Sequence, residues 1–310
     1  MDRSVLVAVV AGALQGVFEW LPISSEGNIT VFLTALGSSP EAAVQFSLFL
    51  HVGTALSATV YYRDELTDVL GALPDWRPGR AFPDADRTDA DRRNIDRADA
   101  DRRNIDRADA NRRNTDRTDA DRDETATLSF LGVATLASGV VGIAAYLTLE
   151  TVVSALTGGA FVALVGVLLV LTGVLQRVAD GFEFGGRHAP DLADAVLVGA
   201  LQGLAILPGI SRSGTTASAL LFRGHDGPSS FRLSFLLSIP AALGAGVLVL
   251  LDTGVPSVTP TEALLALGTA AVVGYLTIDA LMRVVERVPF WGVCIGLGAL
   301  AMLGGGALAI

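Results

Sequence analysis

The chain has 310 residues, 51% of them hydrophobic, and carries 22 basic against 32 acidic side chains for a net charge of −10. That balance excludes a nucleic-acid binder, which needs a basic footprint, and a lone cysteine, Cys294, excludes an intrachain disulfide or a cysteine-built metal cluster. All 22 basic residues are arginine, and residues 77–124 hold 13 of them with 14 Asp or Glu, so a hydrophilic insert interrupts an otherwise apolar, membrane-embedded chain.

In chain order, residues 4–18 are uncharged and end at Glu19-Trp20-Leu21-Pro22, with a second short apolar piece at 29–37. Two half-length helices around a Pro/Ser turn predict a re-entrant hairpin. A signal peptide is the weaker reading, because Met1-Asp2-Arg3 has no net positive charge and no small-residue cleavage site precedes Glu19. A first crossing follows at 42–62. Residues 63–126 are hydrophilic and contain the decapeptides RRNIDRADAD, RRNIDRADAN and RRNTDRTDAD. Each unit offers at most one Ile to a core, so disorder is expected; a salt-bridged helix or a headgroup-binding tail is less favoured, since Asp offsets nearly every Arg. Crossings are predicted at 127–149 and 151–176. Residues 195–211, broken at Pro208-Gly209 and resumed at 215–222, predict a second re-entrant hairpin. Three more crossings follow at 233–251, 263–282 and 288–310. The expected fold is all-α: six transmembrane helices plus two hairpins, divided as 1–62, 63–126, 127–178 and 191–310.

The two hairpins resemble each other. Gly12-Ala13-Leu14-Gln15-Gly16 recurs as Gly199-Ala200-Leu201-Gln202-Gly203, and at the same offset of 187 Ile23-Ser24 matches Ile210-Ser211 and Gly27 matches Gly214. Each half then holds one hairpin and three crossings. Three is odd, so the halves have opposite topology, an inverted repeat. Arginine falls in alternate connections (63–125, 177–191, 223–232 and 283–287), which assigns those connections and the insert to the cytoplasm; Arg3 is the exception. Hairpin 1 enters from outside, hairpin 2 from inside, and their tips meet near the midplane.

Polar side chains inside a membrane are costly and default to functional candidates. The tips concentrate them: Gln15, Glu19, Ser24, Ser25, Glu26, Gly27 and Asn28 in the first; Ser211, Arg212, Ser213, Gly214 and Thr215 in the second. An arginine beside hydroxyls at a helix start suits a phosphate, through its planar donors and the exposed N–H groups; the alternative is a structural pair with Glu19. A carboxylate can take a proton from a serine or help hold a divalent cation. Ser24 and Ser25 alone could equally be helix caps. His51, in the first crossing, is a second-rank candidate against the commoner reading of a packed histidine. Asp279 is expected at the interface or paired with Arg283.

At these residues the chain resembles the undecaprenyl-diphosphatase family, the bacitracin-resistance phosphatases. Gln15-Gly16 through Glu19-Trp20-Leu21-Pro22-Ile23-Ser24-Ser25-Glu26-Gly27 is similar to its first signature, and Pro208-Gly209-Ile210-Ser211-Arg212-Ser213-Gly214 matches its second. Leu50-His51-Val52-Gly53-Thr54 and Phe235-Leu236-Leu237-Ser238-Ile239-Pro240 extend the likeness across the membrane portion. The resemblance implies hydrolysis of a polyprenyl diphosphate at the outer face of the cell membrane, usually with a divalent cation (Mg or Ca). It makes Glu19 the motif glutamate and a cation ligand, Ser25 the nucleophile and Arg212 the phosphate clamp, with Ser24, Gly27, Ser211, Ser213, Gly214 and Thr215 around the phosphate. The chain departs from the family at Gln15, Glu26 and Asn28, which replace a glutamate, a threonine and a histidine. These three and His51 are accessory candidates. The partners expected are the lipid substrate, membrane lipids and, at most, a second copy as a homodimer, with no nucleic acid. A transporter or flippase of the lipid monophosphate is the alternative from a different class. The acidic, lysine-free composition suits a halophilic archaeon.

Overall fold

Apolar segments in hydrocarbon must satisfy their own backbone hydrogen bonds, which favours helices wherever a single segment crosses. A computed structural model describes residues 3–77, 82, 105–156, 158–181, 187, 189–252, 258–285 and 287–309, and every regular element among them is helical. The helices are α1 (Arg3–Phe18), α2 (Ser25–Ala35), α3 (Pro40–Tyr61), α4 (Arg63–Gly71), α5 (Ile105–Ala155), α6 (Gly158–Ala179), α7 (Leu192–Leu204), α8 (Arg212–Phe222), α9 (Gly227–Asp252), α10 (Pro260–Val285) and α11 (Phe290–Ala309). Six have the length and apolar content to cross a membrane: α3, α5 from Asp123, α6, α9, α10 and α11. These are the six expected, and the chain is a multi-pass membrane protein. Their outer faces carry exposed Leu136, Val140, Leu264 and Leu303, the surface a lipid bilayer covers.

The hydrophilic insert departs from its expected disorder at both ends. Arg63–Gly71 forms a helix, and α5 runs back from the membrane to Ile105 without a break. Once the apolar span has nucleated α5, each further residue adds a hydrogen bond at little penalty, and Arg and Ala are good helix formers. The first repeat, Arg92–Asp101, lies outside the described residues. Of the two expectations for Asp279, the side-chain pair with Arg283 does not form: Asp279 is exposed near the end of α10, its carboxylate accepts from the Tyr61 hydroxyl, and Arg283 donates to the Asp279 main-chain carbonyl at 3.0 Å.

Small residues decide which helices touch. α1 lies along α10, where a Cβ on Gly12 would stand 2.3 Å from the Ala266 carbonyl oxygen and one on Gly16 2.7 Å from the Gly274 nitrogen. α7 lies along α5 in the same way, with Gly199 against the Ala134 carbonyl at 2.4 Å and Gly203 against Gly142 at 2.8 Å. Backbones approach this closely in membranes only where side chains are absent. α6 pairs with α11 through Gly166, Gly173, Gly298 and Gly305, and α3 packs on α9 and α10. The α1–α2 and α7–α8 turns lie inside this cage.

Candidate active site

Both short helix pairs break and restart alike. Ser24 caps α2, its Oγ accepting from Gly27 N at 3.2 Å, and Ser211 caps α8, accepting from Gly214 N at 3.2 Å. Ser25 and Arg212 therefore hold the same position, the first residue of a half-helix, on the two tips. The tips touch: Gly209 N donates to Ser24 Oγ at 3.1 Å, and a Cβ on Gly27 would stand 2.6 Å from Gly209 N. Ser24 sits at φ 59°, the one non-glycine residue with positive φ among those described. Such a conformation stores about 1–3 kcal/mol and persists only where its surroundings over-determine it. Asn28 is one of those surroundings, its amide donating to Ile23 O at 2.7 Å and Ser24 O at 2.9 Å. From α6, Thr172 donates to Gly209 O and Gln176 donates to Pro22 O at 2.6 Å, pinning both tips to one helix.

Glu19, just before the first tip, gathers the polar side chains. Its Oε1 accepts from Arg212 Nη2 at 2.5 Å; its Oε2 accepts from Gln15 Nε2 at 2.8 Å and from Ser25 Oγ at 2.9 Å. His51 Nε2 lies 3.4 Å from the same Oε2. His51 Nδ1 faces the Ser47 carbonyl at 2.9 Å, so Nδ1 carries a proton and Nε2 is the nitrogen turned to the carboxylate. Glu19, Ser25 and Glu26 are buried, as Arg212 largely is. In this geometry Arg212 pairs with Glu19, as the structural reading expects, and also lines a cavity.

That cavity, of about 20 Å³, is bounded by Glu19, Ser25, Glu26, His51 and Arg212 with the Ser24, Ser211 and Ser213 tips, room on the order of one water. It shares Glu26, His51, Ala205 and Arg212 with the wall of a second, mostly apolar cavity of about 340 Å³ between α3, α5, α7 and α9. Gln202 and Ser138 are polar groups on its wall, and Ile143, Val247 and Leu251 lie toward its far end.

Of the residues singled out in the sequence, Gln15, Glu19, Ser24, Ser25, Glu26, His51, Ser211, Arg212 and Ser213 meet here. Gly27, Gly214 and Thr215 lie behind the cavity wall: the glycines admit close packing, and Thr215 donates to Ser211 O at 2.8 Å. Asn28 braces the turn and faces a different cavity, beside Val31 and Gly158. Sequence reasoning missed Thr172 and Gln176. Their signal was present, two polar residues one helical turn apart in an otherwise apolar crossing, but their targets are main-chain groups no motif reveals.

The donor set does not form a cation cage. Both Glu19 oxygens are committed to Arg212, Gln15 and Ser25, and among the described residues no three His, Cys, Asp or Glu side chains converge on a point. Glu19 as a preformed metal ligand therefore does not fit.

Fold and site together define a polytopic helical membrane protein whose buried serine, carboxylates and arginine suit a phosphorylated ligand. The family model described as Bacitracin resistance protein BacA matches residues 8–300, and the chain belongs to that family. It is 50% identical to an Undecaprenyl-diphosphatase of Haloarcula marismortui over 99% of both chains. Proteins of the same description from Methanococcoides burtonii and Methanopyrus kandleri are 35% and 34% identical, each over 96% of this chain and over 96% and 94% of their own lengths. The lysine-free acidic composition agrees with a halophilic archaeal source such as that of the first relative.

Proposed function

We propose that this protein is a membrane phosphatase that hydrolyses undecaprenyl diphosphate, or another polyprenyl or dolichyl diphosphate, to the monophosphate and inorganic phosphate, recycling the lipid carrier. The observation that carries the reading is Ser25 Oγ hydrogen-bonded to a Glu19 carboxylate whose other oxygen holds Arg212. Nucleophile, base and charge stabiliser thus share one group. The near-full-length likeness to proteins described as Undecaprenyl-diphosphatase supports the substrate class.

Ser25 Oγ attacks the terminal phosphorus as its proton passes to Glu19 Oε2, and the bond to the bridging oxygen breaks. Gln15 fixes the Glu19 carboxylate. Protonation of Glu19 weakens its pair with Arg212, whose freed N–H groups meet the charge on the transferring phosphoryl oxygens. The N-termini of α2 and α8 add backbone donors from two sides. Water then cleaves the phosphoserine as Glu19 returns its proton to Ser25. A divalent cation, Mg or Ca, is proposed to accompany the substrate's phosphate oxygens rather than to reside in a protein cage. The apolar cavity takes the first isoprene units.

The proposed topology is an inverted repeat of two re-entrant hairpins. Reciprocal packing supports it: α1 of the first half lies on α10 of the second, and α7 of the second on α5 of the first, through glycines at equivalent positions. The apolar cavity runs along α5 and α9 toward their 139–143 and 247–251 ends, on the side of the arginine-free connections. This supports a site that opens to the extracytoplasmic side, with the insert in the cytoplasm. The deciding experiment is phosphate release by purified protein with undecaprenyl and dolichyl diphosphates, with and without divalent cation. Release that is lost in Ser25→Ala supports the phosphatase. Translocation of lipid monophosphate in proteoliposomes without hydrolysis would replace it with the transporter.

A further inference from the structure

Glu26 follows the nucleophile, and the mechanism above makes no use of it. The side chain is 4% exposed, and its Oε1 is sealed from solvent with no hydrogen-bond partner. Four residues line both the small polar cavity and the apolar one: Glu26, His51, Ala205 and Arg212. If the terminal phosphoryl group occupies the first cavity and the lipid leaves through the second, the bridging oxygen lies at this junction. There Arg212 is tied to Glu19, His51 is held between Ser47 and Glu19, and Ala205 has no chemistry to offer. Glu26 is the uncommitted group.

The charged and titratable groups facing it are Glu19 from the turn after α1, His51 from α3 and Arg212 from α8. Glu19 already holds Arg212 and faces His51, so a second carboxylate beside it would be buried, unpaired and next to a like charge. Burial of an unpartnered charge is expensive enough that such a group takes its neutral form. One carboxyl ionised by its partners and another kept neutral by lack of them is the arrangement that separates base from acid.

We propose that Glu26 is the general acid of the reaction, holding a proton in the resting site and delivering it to the bridging oxygen as the terminal phosphoryl group leaves. The assignment rests on the phosphatase reading of Ser25 and Glu19. In the first step the Ser25 Oγ–P bond forms and the P–O bridge bond breaks. The serine proton goes to Glu19, and the Glu26 proton goes to the departing lipid monophosphate. In the second step water attacks the phosphoserine, gives a proton to Glu26 and displaces Ser25 Oγ, which recovers its proton from Glu19. Both carboxyls end as they began.

The test has two parts, on the full chain in detergent. Infrared difference spectra of Glu26→Gln against the parent at neutral pH read the protonation state without activity; the parent is expected to show a protonated-carboxyl carbonyl band that the variant lacks. Single-turnover phosphate release is then followed against pH with a polyprenyl diphosphate. The parent rate should fall at high pH as the acid is lost. Glu26→Gln should be slower by about 10²–10⁴-fold, the usual range for a lost general acid, with that alkaline fall gone, and Glu26→Asp should keep the fall. Absence of the carbonyl band, release by Glu26→Gln within threefold of the parent, or a uniform loss that keeps the alkaline limb would each overturn the proposal. Failure of the parent to release phosphate would instead overturn the phosphatase reading, with the infrared result standing apart.

Discussion

Glu19 shows how much one buried side chain can organise. Its two oxygens receive Arg212, Ser25 and Gln15 with His51 close by, so removing either charged partner leaves a desolvated ion behind. Arg212→Ala is expected to abolish phosphate release, by at least about 10²-fold as for loss of a transition-state donor, while the folded protein persists in detergent. Arg212→Lys keeps the charge but not the planar fork, so it should recover substrate affinity better than turnover. Steady-state kinetics with size-exclusion profiles check both, and full activity in Arg212→Ala would remove the arginine from the mechanism. Most of this residue-level assembly was legible in the sequence, because polar residues in a membrane segment are few and their motifs are long. The partner list was not. Contacts such as Gln176 to the Pro22 carbonyl at 2.6 Å involve main-chain atoms, which carry no side-chain signature.

At the scale of the helix, the twice-occurring Gly-Ala-Leu-Gln-Gly segment is a packing device. A side chain on Gly12 or Gly199 would collide with a main-chain carbonyl, which a neighbouring helix cannot move aside cheaply. Gly12→Leu and Gly199→Leu should each lower stability, by about 1–3 kcal/mol if the helices re-seat, whereas Gly132→Leu, where nothing lies within 4 Å, should not. Thermal unfolding in detergent compares the three.

The α7–α8 pair is also anchored outside the six spans. Asp194 of α7 accepts from Arg223 at 2.6 Å, from Arg187 at 3.0 Å and pairs with His225 at 2.9 Å. Burial pushes its carboxyl up, but the bonds from His225 and Arg223 outweigh that and hold it well below the usual carboxylate range. A carboxyl depressed by folding stabilises fully above its unfolded value, near 3.9, and loses that contribution as pH falls toward the folded value. Thermal stability should therefore drop in this acid range, and Asp194→Asn should be less stable at neutral pH with a shallower acid decline. An unchanged acid limb in that variant would remove Asp194 as its source. No sequence motif marks this cluster; Arg187, Asp194, Arg223 and His225 meet only because α7 and α8 fold back together.

Across the whole molecule, the arrangement of spans commits the two faces of the membrane. Ser39, exposed before α3, and Arg287, exposed before α11, fall on opposite sides in the proposed topology. With Cys294 replaced by alanine, Ser39→Cys should react with an impermeant thiol reagent on intact cells, and Arg287→Cys only after permeabilisation. The reverse pattern would invert the topology and the side on which the site opens.

Length, hydropathy and arginine placement determined the number of crossings and the position of the two breaks, because hydrocarbon admits few structures and penalises charge wherever it falls. The motifs marked out the residues expected to handle a phosphate. Only the tertiary structure decided that Ser25 and Arg212 converge on one carboxylate, that Asn28 turns away while His51 turns in, and that Glu26 is left without a partner between two cavities. Those outcomes depend on how close two helix tips approach and which way each first turn faces, and spacing along the chain specifies neither.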